Sequence, residues 1–107
     1  MYNGSPIRRL NMDSQRTWTF LSNHAHILVC LAKDPDCRLR DIAEAVGITE
    51  RGVMKIMGEL EESGVVTRVR EGRRNHYEIS SEESLRHPLE QHCTVGSLLS
   101  MVLGEKK

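Results

Sequence analysis

Long apolar runs, closely spaced cysteines and aromatic residues, which are typical of membrane, secreted and single-strand-binding proteins respectively, are rare or missing in the sequence. Its 107 residues contain no apolar run near the ~20 residues that cross a bilayer, and the chain begins without the roughly 7–15-residue apolar stretch of a signal peptide. Three cysteines without close spacing predict reduced thiols rather than a disulfide framework. One Trp, two Tyr and one Phe are too few for a platform that stacks the bases of single-stranded nucleic acid. We therefore expect a cytoplasmic protein with no membrane partner.

Net charge of either sign is also absent, because 15 Lys and Arg residues balance 15 Asp and Glu residues. This balance argues against coating nucleic acid by bulk charge, but it allows one local basic surface. With 38% hydrophobic and 28% charged residues, the composition is typical of one globular domain rather than of a disordered chain.

Hydrophobic periodicity predicts a long first helix and a last helix. The first, over 17–33, should end before Pro35, because the residue preceding a proline disfavours helical backbone. The last should begin at Pro88, which suits a first helical turn, and run to Gly104. The first helix carries two apolar stripes, which are Trp18, Leu21, Ala25, Leu28 and Ala32 on one face and Phe20, Ile27 and Leu31 on another.

Two short helices and a β-hairpin are predicted between them. The helices cover 38–46 and 49–63. The strands cover 65–70 and 76–79, with 71–75 as the hairpin tip. The predicted fold is mainly α with a small β-hairpin, in the order helix, helix, helix, hairpin, helix.

The same patterns divide the chain into three segments. We expect a flexible N-terminal arm over 1–15, because it is polar and without period. The folded domain should cover 16–80. A connector and the C-terminal helix should cover 81–107.

The segment from Leu39 to Gly58 has the spacing of two helices that cross steeply and are joined by a short turn. Ala43 is small where the helices would touch, and Gly47 permits the turn. The apolar positions that would seal the core between the helices are Ile42, Val46, Ile48, Val53 and Ile56. The segment resembles a helix-turn-helix.

The residues that follow extend this resemblance. The stretch LEESGVVTR at 60–68 is similar to the passage L-E-x-x-G-[LVI]-[LVI]-x-R of MarR- and ArsR-like regulators. The chain over 17–80 thus resembles a winged helix-turn-helix, with a three-helix core, a hairpin called the wing and an extra C-terminal helix. The resemblance implies a homodimeric transcriptional regulator that binds double-stranded DNA, with the third helix in the major groove and the wing along the minor groove.

Carried over position by position, the resemblance places the start of the third helix at the DNA. Arg51 has the geometry to contact a guanine edge or a phosphate, and Thr49 could bond a phosphate while capping the helix. Glu50 could accept a hydrogen bond from a cytosine amine or could stabilise the helix dipole. The groove-facing residues are Thr49, Glu50, Arg51, Gly52 and Lys55.

Arginines of the wing form a second predicted DNA contact. The segment 65–77 contains four arginines and only one glutamate. Its tip beside Gly72 could enter a narrow minor groove. Two further arginines at the start of the second helix could hold phosphates. These residues are Arg68, Arg70, Arg73 and Arg74 in the wing, and Arg38 and Arg40 in the second helix.

The apolar surface of the first and last helices exceeds what one small core needs, so we expect a homodimer. The alternative is that the last helix only covers its own domain. The predicted dimer contacts are Phe20, Ile27, Leu31, Val95, Leu98, Leu99 and Val102.

Signals for other chemistry are weak. The histidines and cysteines lack the spacing of a tetrahedral metal site, and no nucleophile–base pair or phosphate loop is evident. We expect no metal, no cofactor and no catalytic activity. A small-molecule effector, if one exists, would bind between the first helix, the last helix and the partner subunit.

An alternative function remains open, which is a winged-helix module that binds another protein without reading DNA. Zero net charge favours it, as do the acids Glu59, Glu61 and Glu62 of the third helix. These acids must point away from any DNA. Arg51 and the arginines of the wing favour DNA binding.

Overall fold

The computed structural model describes residues 17–104. This range forms three helices, an antiparallel hairpin and a further helix, in the order expected of a winged helix. No helix in the described range has the length and apolar character needed to span a bilayer. The predicted arm at 1–15 lies outside the described residues. The elements are α1 (Asn23–Lys33), α2 (Leu39–Val46), α3 (Glu50–Glu62), β1 (Val66–Glu71), β2 (Arg74–Ile79) and α4 (Val95–Leu103).

Helix α1 begins later than its apolar pattern predicts. Ser22 caps it, with the hydroxyl oxygen accepting from the Ala25 N–H at 3.4 Å. The prediction of a helix from residue 17 is wrong, because this cap satisfies a free amide of the first turn while Ser22 keeps extended backbone. The rings of Trp18 and Phe20 pack edge-on outside the helix, 4.9 Å apart, and both are largely exposed.

Helices α2 and α3 form the expected pair. Gly47 has a left-handed φ of 88°, and its N–H donates to the Ala43 carbonyl at 2.8 Å, which ends α2. Thr49 then caps α3, because its side-chain oxygen accepts a first-turn N–H at 3.0 Å. Ile42 and Val53 are fully buried in the core on which both helices pack.

Strands β1 and β2 pair along their whole length, so only Gly72 and Arg73 remain in the turn. Gly72 has a φ of 66°, which two-residue hairpin turns require. The predicted tip over 71–75 is therefore too long, because the strands continue to pair up to the turn. The Tyr77 N–H donates to the Pro35 carbonyl at 2.9 Å, which attaches the outer edge of β2 to the loop before α2.

Helix α4 starts at Val95 rather than at Pro88, so the predicted start is wrong. Thr94 and Ser97 form a reciprocal cap, in which each side-chain oxygen accepts the other residue's N–H at 3.1 and 3.0 Å. Ser84 and Thr94 also form an isolated antiparallel bridge. Together the bridge and the cap hold the chain around Pro88 in irregular backbone, and α4 then packs against α1.

This packing corrects part of the predicted dimer surface. Four of the residues assigned to it are at most 8% exposed and belong to the core of their own chain. Their side chains are already covered, so they are core residues rather than partner contacts. The four are Ile27, Leu31, Val95 and Leu99, whereas Phe20, Leu98 and Val102 keep accessible surface.

Candidate nucleic-acid interface

The first turn of α3 is exposed and carries a cation, Arg51. Thr49, Glu50 and Arg51 are all exposed. Within the described residues Arg51 forms no ion pair, so its guanidinium is available to a partner molecule. The amides at a helix N-terminus carry partial positive charge, which favours a nearby phosphate.

Lys55 has an intramolecular partner four residues further along the same helix, a spacing at which helical side chains meet. Its Nζ lies 3.3 Å from Oε2 of Glu59, one helical turn further along α3. The Lys55 side chain is 75% exposed, and such a surface pair contributes only about 0.3–0.5 kcal/mol. A phosphate could therefore replace Glu59 at little cost.

Arginines that are distant in the sequence meet at one depression of about 610 Å³. It lies where the starts of α2 and α3 face the wing. Of the charges around it, four are positive and two are negative. None of these arginines forms an ion pair within residues 17–104. The arginine depression, as we call it, is lined by Arg38, Arg40, Arg73 and Arg74 and also by Asp36, Glu50 and Asn75.

The other two predicted wing arginines do not line the arginine depression. Arg68 lies 3.7 Å from a carboxylate oxygen of Glu61, which links β1 to α3. The Nε of Arg70 donates to the Gly72 carbonyl at 3.1 Å and so braces the hairpin turn. Both side chains have structural contacts that the sequence pattern did not indicate.

The acidic second half of α3 faces elsewhere. Glu59 lines a second cleft of about 1010 Å³, which lies between α1, α3, α4 and the segment 84–93. Glu59 also bonds His24 of α1, with 2.6 Å between Oε1 and Nε2. This hydrogen bond, and secondarily Lys55, lowers the pKa of Glu59. Glu59 thus links α1 to α3 and does not line the arginine depression.

A cluster in the tip half of the wing, beside the loop before α2, was missed by the sequence reasoning. Nδ1 of His76 lies 2.9 Å from Oδ1 of Asp36, and this hydrogen bond raises the pKa of His76. Glu71 completes the cluster, since one ligand atom from each residue lies within 4.8 Å of the others. The signal was invisible in the sequence, because Asp36 and His76 are 40 positions apart and meet only through folding.

Two of the three cysteines lie in surroundings that disfavour the thiolate. Cys30 and Cys37 are half-buried, and burial raises the pKa of both. Lys33 partly opposes the shift at Cys30, whereas Asp34 adds to that at Cys37. Thiols with a raised pKa are protonated near neutrality and are poor nucleophiles.

Three helices, a wing and a cluster of arginines beside the start of α3 define the class of the domain. Its fold is a winged helix-turn-helix. Residues 22–67 match the family described as "Winged helix-turn-helix DNA-binding". The match confirms the resemblance inferred from the helix-turn-helix spacing, and the hairpin that follows it is a feature of the structure.

A solved structure has the same fold. It is the crystal structure of the PcaV transcriptional regulator from Streptomyces coelicolor in complex with its natural ligand. The similarity has a TM-score of 0.51 at 19% identity and covers 94% of this chain and 72% of that one. No curated protein matches the chain.

Proposed function

We propose that this protein is a dimeric transcriptional regulator that binds double-stranded DNA at specific sequences. The observation that carries the proposal is the arginine depression beside the start of α3. Four arginines from the start of α2 and from the wing converge there, and none of them forms an ion pair within residues 17–104, although the chain as a whole has no net charge. Such a local excess suits the closely spaced phosphates of a duplex.

The geometry supports different roles for the cations. In this proposal α3 enters the major groove, where Arg51 makes a bidentate contact with a guanine edge. Arg73 in the turn and Arg74 beside it lie along the minor groove. Arg38 and Arg40 hold backbone phosphates, which position the domain without reading sequence.

The dimer rests on apolar surface that the described residues leave uncovered. Phe20 is 90% exposed, and Met101, Val102 and Leu103 of α4 are 39–67% exposed. A two-fold axis through this surface would place two α3 helices about one DNA turn, ~34 Å, apart. The operator would then be a pseudo-palindrome.

The second cleft is our proposed place for a small-molecule effector. Its apolar wall includes Leu28, Leu60 and Leu98, and its polar groups include His24 and Glu59. The PcaV regulator, which has the same fold, was crystallised with its natural ligand. An effector held between α1, α3 and α4 could alter the position of α3.

The first experiment is selection of binding sites from a random pool of duplex DNA. We expect enrichment of two half-sites separated by about one helical turn. Affinity for the enriched duplex should fall as salt rises, with a log–log slope of roughly 0.9 per neutralised phosphate. If no duplex is enriched at low or moderate salt, the DNA-binding proposal is wrong and the protein-binding alternative gains support.

Three variants then separate the roles of the arginines. Arg73→Ala combined with Arg74→Ala should weaken binding to all duplexes alike, since phosphate contacts carry no sequence information. Arg51→Ala should also relax the preference at one base pair, by about 1–3 kcal/mol of discrimination. Lys33→Ala is the control, because Lys33 is an exposed cation that lines neither the arginine depression nor the second cleft. An equal loss on every sequence from Arg51→Ala would rule out its base-reading role.

A further inference from the structure

Three potential metal ligands converge where the tip half of the wing lies against the loop before α2. Asp36 belongs to the loop before α2, Glu71 ends β1 and His76 lies in β2. Because Val69 pairs with His76 in the hairpin register, Glu71 and His76 lie on the same face of the wing. One ligand atom from each of the three residues lies within 4.8 Å of the other two.

The separations suit a shared ion. Ligand atoms bound to one Zn²⁺ at about 2.0–2.2 Å lie about 3–3.5 Å from one another. Nδ1 of His76 and Oδ1 of Asp36 are already 2.9 Å apart. The Glu71 side chain is exposed, so rotation about its bonds can close the remaining distance.

The donor atoms of the three side chains, and their exposure to water, indicate which ions the site would bind. An imidazole nitrogen favours zinc and its neighbours in the first transition row, while carboxylates also suit Mn²⁺. His76 is 30% exposed and Asp36 is 47% exposed, so water can enter and fill further coordination positions. We propose that Asp36, Glu71 and His76 bind a divalent first-row transition ion such as Zn²⁺ or Mn²⁺. The ion would replace the proton that Nδ1 of His76 shares with Asp36, and that proton would be released to water.

Binding at this site would change the charge beside the arginine depression. Asp36 lines that depression, and Glu71 pairs in register with Arg74. A divalent ion cancels both carboxylate charges, which raises the positive potential around the arginines. It also ties the wing to the loop before α2, next to the Tyr77–Pro35 hydrogen bond. The ion should therefore strengthen DNA binding, a consequence that rests on the proposed function.

The site itself is tested without DNA, by NMR on the metal-free, ¹⁵N-labelled chain. Substoichiometric Mn²⁺ should selectively broaden the amide signals of Asp36, Glu71 and His76. Glu71→Gln should abolish this broadening, and its spectrum shows whether it has folded. Glu82→Gln, the same change at an exposed acid outside the cluster, should behave as the original chain. Broadening that is centred elsewhere, or that persists in Glu71→Gln, overturns the site.

Calorimetric titration with Zn²⁺ gives the strength of the site. We expect at least tenfold weaker binding, or loss of one equivalent, in Asp36→Asn and in Glu71→Gln relative to Glu82→Gln. Equal Zn²⁺ affinity and stoichiometry in these three variants would contradict the assignment of the ligands. Histidines elsewhere in the chain contribute equally to all three and cancel in this comparison.

The coupling to DNA is tested by fluorescence anisotropy with a random-sequence duplex at low salt. Zn²⁺ should tighten binding severalfold in the original chain and leave Glu71→Gln unchanged. Without metal, Glu71→Gln should bind at least as tightly as the original chain, since one repelling charge is gone. Metal binding without any change in DNA affinity overturns the coupling. Absence of duplex binding overturns the proposed function, and the metal titrations decide the site independently.

Discussion

Glu59 shows how one side chain links two helices and departs from its sequence-based role. As one acid of a solvated helix end, it was expected only to avoid DNA. Folding places it against His24, 2.6 Å away, and within 3.3 Å of Lys55. It thereby joins α1 to α3 on the side of the second cleft.

This contact predicts a pH-dependent stability. The folded state lowers the pKa of Glu59 below its ordinary value of 4.5, so its ionised form stabilises the fold above that value. The stabilisation is lost as pH falls through the lowered pKa. Thermal unfolding should therefore show a lower Tm for Glu59→Gln than for the original chain at pH 7, and a smaller difference near pH 4. A difference that is constant with pH, as expected of the control Glu82→Gln, would contradict the ionic role.

Among single residues, the exposed cations at the helix start were the most predictable. Arg51 follows the Thr49 cap, and both positions depend on local spacing alone. The Lys55–Glu59 pair follows from the four-residue spacing on one helix. The partner of Arg68 was not predictable, because Glu61 reaches it only in the folded backbone.

Two glycines of the helix-turn-helix have opposite effects on the stability of their helices. Gly47 ends α2 with a φ of 88°, which a residue with a Cβ adopts at a cost. Gly58 lies inside α3, where an added Cβ would meet no atom within 4 Å.

We therefore predict opposite signs for two alanine variants. Gly47→Ala should lower the free energy of unfolding by about 1–2 kcal/mol, because left-handed backbone disfavours alanine. Gly58→Ala should raise it by about 0.5–1 kcal/mol, because alanine loses less entropy in a helix. Urea unfolding followed by circular dichroism measures both. Equal shifts in the two variants would show that the left-handed turn does not control the stability of α2.

The predicted ends of the helices were accurate where local sequence signals set them and inaccurate where contacts with distant residues did. The end of α2 and the start of α3 were predicted within one residue, because a left-handed glycine and a threonine cap act locally. The start of α4 was missed by seven positions, since Pro88 suits a first helical turn. The Ser84–Thr94 bridge and the Thr94–Ser97 cap override that preference.

The whole molecule retains an apolar surface on the outer side of α4. Within the described residues its Met101 and Val102 are 67% and 41% exposed, while Leu99 is buried against the core. The helix thus covers its own domain on one face and leaves apolar side chains of the other face exposed.

This surface predicts the oligomeric state. The chain should sediment at twice its mass of 12.2 kDa, because a dimer would bury α4 apolar surface at about 25 cal/mol per Å². Met101→Glu should shift the equilibrium toward the monomer. The matched control is Met54→Glu, which alters a methionine that is 57% exposed on α3. If both variants sediment as the original chain does, α4 is not the dimer contact.

The amino-acid sequence alone was enough to predict the winged helix-turn-helix fold. The helix-turn-helix spacing, the glycine and threonine that bound its turn, and the basic hairpin depend on neighbours within a few positions, where backbone preferences act directly. The tertiary structure was needed to tell which apolar residues belong to the core and which stay exposed. Hydrophobic periodicity identifies the apolar face of a helix but does not show what covers that face. The tertiary structure was likewise needed to find the arginine depression and the cluster of Asp36, Glu71 and His76. Their members lie tens of residues apart, and folding alone brings those charges within range of one another.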